Sequence, residues 1–481
     1  MDASPARRSP YDLPILAALL LLATAVRVHD LSVGGLWLDE GYSLLQSERS
    51  FADIVALRRY DANPPLYLLL LHAWRAVLGP DVPAAQSLSV FFGVAGVGLA
   101  WAVMRLRFGV VAGLVAGLLV ALSRFHVHYS QEIRGYALLF SLIAAADLFY
   151  VRWETRGRTT DLAAWTLAAV AAVATHTFAW WVVGVHVVFS ERRRALLAAF
   201  GVVAAASVPL WVTLYEHLTT FRTQSWIGEP DTAGLVQLLW VLGGCGPIAL
   251  VTWGLATLGF AANVAPRLPR LLGREETLPG WRTAAVPAAQ LALPFVVFVV
   301  SVVALPMLVE RYLLLSLLPL AGLAGAGVAA IRIPAVRAVL VPALVLLSIP
   351  PLRDESATMA RTDASREIAS LLQSEYRPGD VVLYTSKFDF VPMVAQHPAS
   401  MEEYLLPEIA GSEYSTVLLH YTLRRVRRDA PARGAYHRLW LVRRAADRNE
   451  DVIASDWFRT LDPTLAWQHP SGLLLRFDLP Q

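Results

Sequence analysis

Apolar residues along this chain fall into runs of roughly 15–25, separated by short segments that collect the arginines and most of the acids. The first run is Leu13 to Val26. The pattern predicts spanning helices over about 12–27, 84–104, 109–122, 136–151, 162–175, 178–190, 195–214, 244–264, 286–306, 312–330 and 336–350. A shorter run, 66–79, ends in Trp74 and Arg75 and suits a helix lying in the membrane interface. From Arg353 onward the pattern changes. A polar helical stretch, Asp363–Glu375, is followed by short apolar segments expected to be strands, at Val381–Thr385, Thr416–Tyr421, Arg438–Val442 and Leu473–Phe477. The turn Arg377-Pro378-Gly379-Asp380 leads into the first of them. The expected architecture is an α-helical polytopic membrane protein of about eleven transmembrane helices over 1–352, with a small C-terminal α/β domain over 353–481. The first loop outside the spans covers about 28–83.

Composition agrees. Of 481 residues, 56% are hydrophobic and 16% charged, where a soluble domain carries roughly a quarter charged residues. Mean hydropathy is +0.49. The net charge of +3 and the lack of a basic block exclude nucleic acid as a partner. A single cysteine, Cys245, excludes a disulfide framework and a cysteine metal site. Lys387 is the only lysine, and this arginine bias with abundant alanine points to a GC-rich bacterial genome. Arg7 and Arg8 before the first run resemble a signal peptide, but no small-residue cleavage site precedes Trp37, so the run reads as a retained span. Alternate loops hold 16 and 9 basic residues, which puts the N-terminus in the cytoplasm. The first long loop and the C-terminal domain then lie outside a bacterial plasma membrane.

Ionisable groups are costly near a bilayer, so their positions carry information. Asp39 and Glu40 follow the first span in Trp37-Leu38-Asp39-Glu40, and Asn63-Pro64-Pro65-Leu66-Tyr67 closes the same loop. A second cluster, His126-Val127-His128-Tyr129-Ser130-Gln131-Glu132-Ile133-Arg134-Gly135-Tyr136, lies between the third and fourth spans. His176 occupies the turn between the fifth and sixth, and Glu310-Arg311-Tyr312 opens the tenth. On the expected topology all of these face the same side. Each has a plainer reading. The Asp-Glu pair suits a solvated loop, and the prolines suit a rigid turn. His128, Glu132 and Arg134 suit an interfacial ion-pair set, and His176 a buried histidine bonded to nearby backbone. Asp147, near the inner end of the fourth span, is expected to pair with Arg152. The arginines 424, 425, 427 and 428 read as a solvated or headgroup-facing patch.

Together these motifs, with Leu70-Leu71-His72-Ala73-Trp74 and Arg311-Tyr312-Leu313-Leu314, resemble the GT-C membrane glycosyltransferases of family 39. That family includes protein O-mannosyltransferases and the lipid A aminoarabinose transferase. The resemblance covers about 10–350, and it departs from the best-known branches at Asn63, where they often carry His or Lys. It implies a polyprenyl-phosphate-linked sugar as donor, an extracytoplasmic acceptor and an inverting transfer. Asp39 matches the catalytic aspartate, with Glu40 its neighbour. Arg134, Glu132, His128, Tyr129, Arg311, Tyr312 and His176 become candidates for the donor's phosphate and sugar, and Trp37, Asn63, Pro64 and Pro65 for loop positioning. No metal is assigned; Mg²⁺ or Mn²⁺ held by the two carboxylates and the phosphate is the alternative. The competing class is a lipid-linked sugar transporter or flippase, against which stand the lack of an internal repeat and the placement of polar groups at span ends.

Overall fold

The computed structural model describes residues 9–29, 31, 35–57, 63–221, 227–264, 282–362, 365–397, 400–405, 436–444, 464–469 and 472–479. The expected strand Thr416–Tyr421 and the arginines 424–428 lie outside them. The helices are α1 (Asp12–Val28), α2 (Leu38–Ser47), α3 (Phe51–Ala56), α4 (Leu66–Leu78), α5 (Val82–Phe108), α6 (Val110–Ala121) and α7 (Arg124–Gln131). There follow α8 (Tyr136–Arg156), α9 (Thr159–Val173), α10 (Ala179–Phe189), α11 (Arg193–Ala206), α12 (Val208–Phe221), α13 (Thr232–Gly243) and α14 (Gly246–Val264). The remainder are α15 (Arg282–Leu291), α16 (Leu293–Val303), a 3-10 helix (Glu310–Ser316), α17 (Leu317–Ala330), α18 (Pro334–Thr362), α19 (Ser365–Glu375) and α20 (Lys387–Gln396).

Among the described residues five helices are long and apolar enough to cross a membrane, or up to eight if each of three bent pairs is one span. The chain is thus a multi-pass membrane protein. The expected span 195–214 is bent by 48° between α11 and α12. The helix α13 was not anticipated. It meets α14 at 86° because Gly244, Cys245 and Gly246 all adopt positive φ. Cys245, at φ 63, is the only non-glycine residue in that region among those described.

The chain divides into two compact units. The first comprises Met1–Asp30, Asp61–Tyr67 and Gln86–Glu355. Its core is built on α17, twelve of whose residues are buried. Alanine and glycine there let backbones approach closely, the usual means of packing helices in lipid. A Cβ on Gly327 would run into the Leu255 carbonyl of α14, and one on Gly259 into the Leu323 carbonyl of α17. The obstacle is backbone, which cannot rotate away. Gly327→Ala is therefore expected to cost about 1–3 kcal/mol, read as a lowered unfolding midpoint in detergent; an unchanged midpoint would reject the packing argument.

The second unit comprises Leu31–Tyr60, Leu68–Ala85 and Ser356–Gln481. Its sheet has the order β2-β1-β3-β5-β4, with β1 (Asp380–Tyr384), β2 (Glu403–Leu405), β3 (Arg438–Arg444), β4 (Thr464–His469) and β5 (Gly472–Asp478). Strand β1 is parallel to β2 and β3, while β5 is antiparallel to β3 and β4. All five residues of β1 are buried, because both faces of the sheet are covered. Val381 and Leu383 point to one side with Leu439, Leu441 and Leu475. Val382 and Tyr384 point to the other, where Phe390 and Met393 of α20 lie. Leu38, Tyr42 and Leu45 of α2 join this second core. Much of the first loop, expected with the spanning domain, therefore packs with the C-terminal segment. A four-residue step and a three-residue step put these three side chains on one helix face.

Candidate functional site

In the first unit, α7 starts on Ser123, whose hydroxyl accepts from the His126 amide, and ends where Glu132 turns extended. Glu132 to Gly135 thus form a bend before α8. Arg27, at the end of α1 and fully buried, anchors α7. It donates to the Val120 and Ala121 carbonyls at the end of α6, to Ser130 Oγ at 3.2 Å and to His126 Nδ1 at 2.7 Å. The negative end of the α6 dipole favours a cation there. Arg27, one of the nine basic residues assigned by sequence to the outer loops, is therefore not a loop charge but a buried strut.

The bend is also tied to the proline motif. Tyr67 and Ser89 hydroxyls pair at 2.9 Å, and Ser89 donates to the Arg134 carbonyl at 3.3 Å. The Leu66 amide donates to Ala174 at 3.2 Å, next to the His176 turn. Pro64 is buried, with Asn63 and Pro65 half-buried beside it.

Aromatic rings then link the segments. Centroids lie 5.1 Å apart for Tyr129 and Tyr136, 6.5 Å for Tyr136 and Tyr312, and 4.9 Å for Tyr312 and His176. Arg134 lies 5.9 Å over the Tyr136 ring and Arg311 lies 5.5 Å over the Tyr312 ring. His128 Nε2 is 3.1 Å from Glu132. The structure thus gathers Tyr129, Glu132, Arg134, His176, Arg311 and Tyr312, with His128 attached through Glu132. Tyr136, which the sequence shows only as the last residue of the polar motif, belongs among them. Its buried hydroxyl and Oε2 of Glu132 find no hydrogen-bond partner among the described residues.

His176 is both a backbone-bonded histidine and a member of this group. Its Nδ1 accepts the Phe178 amide at 3.1 Å, which leaves the proton on Nε2. Burial first, then the Arg134 and Arg311 charges, push its pKa down from 6.5 to about 4. Below pH 6.5 the unfolded chain takes up a proton that the folded one excludes, so this contribution to stability is lost as pH falls from 6.5 toward 4. His176→Gln is expected to flatten the fall of the unfolding midpoint over that window; equal slopes for wild type and variant would reject it.

Asp39 and Glu40 belong to the second unit, at the second and third positions of α2. Glu40 is buried, and its carboxylate accepts the Trp37 amide at 3.3 Å, the acidic half of a capping box. Asp39 is half-buried in the same first turn, where the helix dipole favours a carboxylate. The far end of α2 is held by α4: Arg75 donates to the Leu44 carbonyl at 3.1 Å and to Ser47 Oγ at 2.6 Å. His72 Nδ1 lies 2.9 Å from the Ser47 carbonyl. Among the described residues no three His, Cys, Asp or Glu side chains gather as metal ligands would.

The chain matches no protein-family profile and no curated protein sequence. Its fold matches ArnT of Cupriavidus metallidurans. In the apo state the TM-score is 0.65 at 14% identity, over 96% of this chain and 98% of that one. With undecaprenyl phosphate bound it is 0.61 at 12% identity, over 97% and 98%. The apo oligosaccharyltransferase of Archaeoglobus fulgidus matches at 0.50 and 10% identity, over 92% and 70%. The chain has the GT-C fold.

Within this GT-C chain one sequence expectation is revised. Asp147 does not pair with Arg152. It meets Arg107 at 3.1 Å and His186 at 2.7 Å, while Arg152 binds Asp161 at 2.8 Å. Residues five apart on a helix point about 140° away from each other, so the expected pair had no geometric basis. The polar cluster 126–136 between the third and fourth expected spans takes the form of a helix followed by a bend.

Proposed function

We propose that the chain is an integral-membrane glycosyltransferase that moves a sugar from a polyprenyl-phosphate donor to an extracytoplasmic acceptor, a lipid, glycan or protein, with inversion. The observation that carries this reading is the gathering of Arg134 and Arg311 about Tyr136, Tyr312 and His176 in a GT-C fold. Support also comes from the length of the match to a protein solved with undecaprenyl phosphate bound.

The chemistry is a single displacement. The acceptor hydroxyl oxygen bonds to the anomeric carbon, and its proton passes to the Asp39 carboxylate. The bond from the anomeric carbon to the phosphate oxygen breaks with its electron pair, releasing polyprenyl phosphate as an anion. Arg134 and Arg311 bind its oxygens, a task suited to the planar guanidinium fork. His176, neutral, offers Nε2–H to phosphate or sugar. Glu132 with His128 and the hydroxyls of Tyr129 and Tyr136 suit sugar hydroxyls. Glu40, bonded to the Trp37 amide, keeps the Asp39 turn in shape rather than taking the proton.

Purified protein in nanodiscs, given a panel of polyprenyl-phosphate sugars and acceptors, is expected to transfer from one donor. Arg311→Met and Arg134→Met should each weaken undecaprenyl phosphate binding by about 10- to 100-fold, the usual worth of a charge-assisted hydrogen bond. Unchanged binding in both would remove the phosphate role. Donor translocation across liposomes without transfer would instead make the protein a transporter. Turnover lost in EDTA and restored by Mg²⁺ or Mn²⁺ would overturn the metal-free mechanism.

A further inference from the structure

The helix that carries Asp39 is seated on the C-terminal α/β domain. Leu38, Tyr42 and Leu45 of α2 lie against the core that contains Phe390, Val391, Met393 and Val394 of α20. At the centre of this contact a Cβ on Gly41 would lie 2.9 Å from Pro392 N and 3.0 Å from Pro392 Cα. Only glycine lets the two backbones come this near, and no rotamer change could make room.

α20 is itself fixed at both ends. Ser386 caps its start, accepting the Phe388 amide at 3.2 Å. Tyr384, two residues earlier, donates to Glu403 Oε1 at 2.5 Å, and His397, just past its last turn, donates from Nδ1 to the same oxygen at 2.7 Å. Glu403 lies on β2, whose register with β1 pairs it with Val382. All three polar side chains are buried. Burial, with the charges of Glu403 and Asp389, holds the Tyr384 phenol well above its ordinary pKa, so it stays a donor. One buried carboxylate therefore ties together the strand before α20, the residue after it and the next strand of the sheet. Such an investment in a helix remote from any chemistry of its own asks for a reason.

We propose that the C-terminal α/β domain positions Asp39, with α20 as the seat of α2 and Gly41 as the residue that sets their separation. The inference rests on the reading of Asp39 as general base. Displacing a catalytic group by about 1 Å costs on the order of 10²-fold in rate, so a side chain wedged between α2 and α20 should act on turnover rather than on the donor.

The test uses full-length Gly41→Val in nanodiscs, with Leu45→Ala as the milder variant should the first fail to fold. Three quantities are read: kcat and KM for the panel donor that gives turnover in wild type, binding of undecaprenyl phosphate, and hydrogen exchange of α2, α8 and α17 amides. The expected result is a kcat lowered about 10²-fold for Gly41→Val, with KM and undecaprenyl phosphate binding within about twofold of wild type. Exchange should accelerate in α2 alone. Accelerated α2 exchange with normal kcat would overturn the proposal, as would a fall in kcat with α2 exchange unchanged. If Asp39→Asn turns over normally, the base reading fails and the positioning claim fails with it. The exchange result would then still report whether α20 holds α2.

Discussion

Asp39→Asn should lower sugar transfer by about 10²- to 10⁴-fold, the usual contribution of a positioned general base. The substitution keeps size and hydrogen-bonding shape while removing the pair of electrons that accepts the acceptor's proton. Asp39 sits in the first turn of α2, where a carboxylate gains from the helix dipole but is not needed to cap it, since Glu40 already accepts the Trp37 amide. The fold should thus tolerate the change, and undecaprenyl phosphate binding should stay within about twofold of wild type. Glu40→Gln gives the contrast. An amide oxygen still accepts from Trp37, so activity should fall far less than in Asp39→Asn. Both measurements use the same nanodisc assay. A normal rate for Asp39→Asn, or equal losses in the two variants, would remove the assignment of distinct roles to these adjacent carboxylates.

Much of the fold is legible in the sequence. Apolar runs in lipid must be helical, because no water is present to satisfy the backbone, so periodicity located α1, α5, α8 and α17 closely. The polar motifs at span ends were legible for the related reason that charge avoids the bilayer centre. What the sequence hid depends on contacts between distant segments. Tyr136 looked like the first residue of a span, and only the placement of Tyr129, Tyr312 and Arg134 around it makes it part of a site. Arg27 looked like a loop charge because nothing local shows that the carbonyl ends of α6 lie beside it. The helix α2 falls within the expected first loop, since its apolar face of Leu38, Tyr42 and Leu45 is short and its partner α20 lies about 350 residues further on. Strand β4 does not stand out in the sequence because Thr464–His469 holds only three apolar residues, Leu465, Ala466 and Trp467, between polar ends. Domain boundaries suffer most from this blindness, since Leu31–Tyr60 belongs with Ser356–Gln481 by packing and not by order.

The second large effect lies away from the site, at Asp147. Its Oδ1 accepts from Arg107 at 3.1 Å, from His186 Nε2 at 2.7 Å and from Gln290 Nε2 at 3.0 Å. His186 Nδ1 accepts in turn from Trp165 Nε1 at 3.0 Å, which fixes the tautomer with its proton on Nε2, facing Asp147. Tyr150 stacks on the imidazole at 4.3 Å and 10°. One buried carboxylate thus joins α5, α8, α9, α10 and α15. Removing it leaves the Arg107 guanidinium, 4% exposed, with its countercharge gone. Breaking a buried pair from one side costs about 3–5 kcal/mol, whereas replacing both charges by apolar groups is often close to neutral. Asp147→Ala should therefore destabilise the protein by about 3–5 kcal/mol in equilibrium unfolding from mixed micelles. The double variant Asp147→Leu with Arg107→Met should recover most of that loss. Both should keep the ratio of activity to folded protein, since neither residue belongs to the proposed donor cluster. The result that would sink this account is a single variant no less stable than the double. In that case the Asp147 contacts would be incidental to the packing of the five helices, and the small-residue seam of α14 and α17 would have to hold this part of the bundle without them.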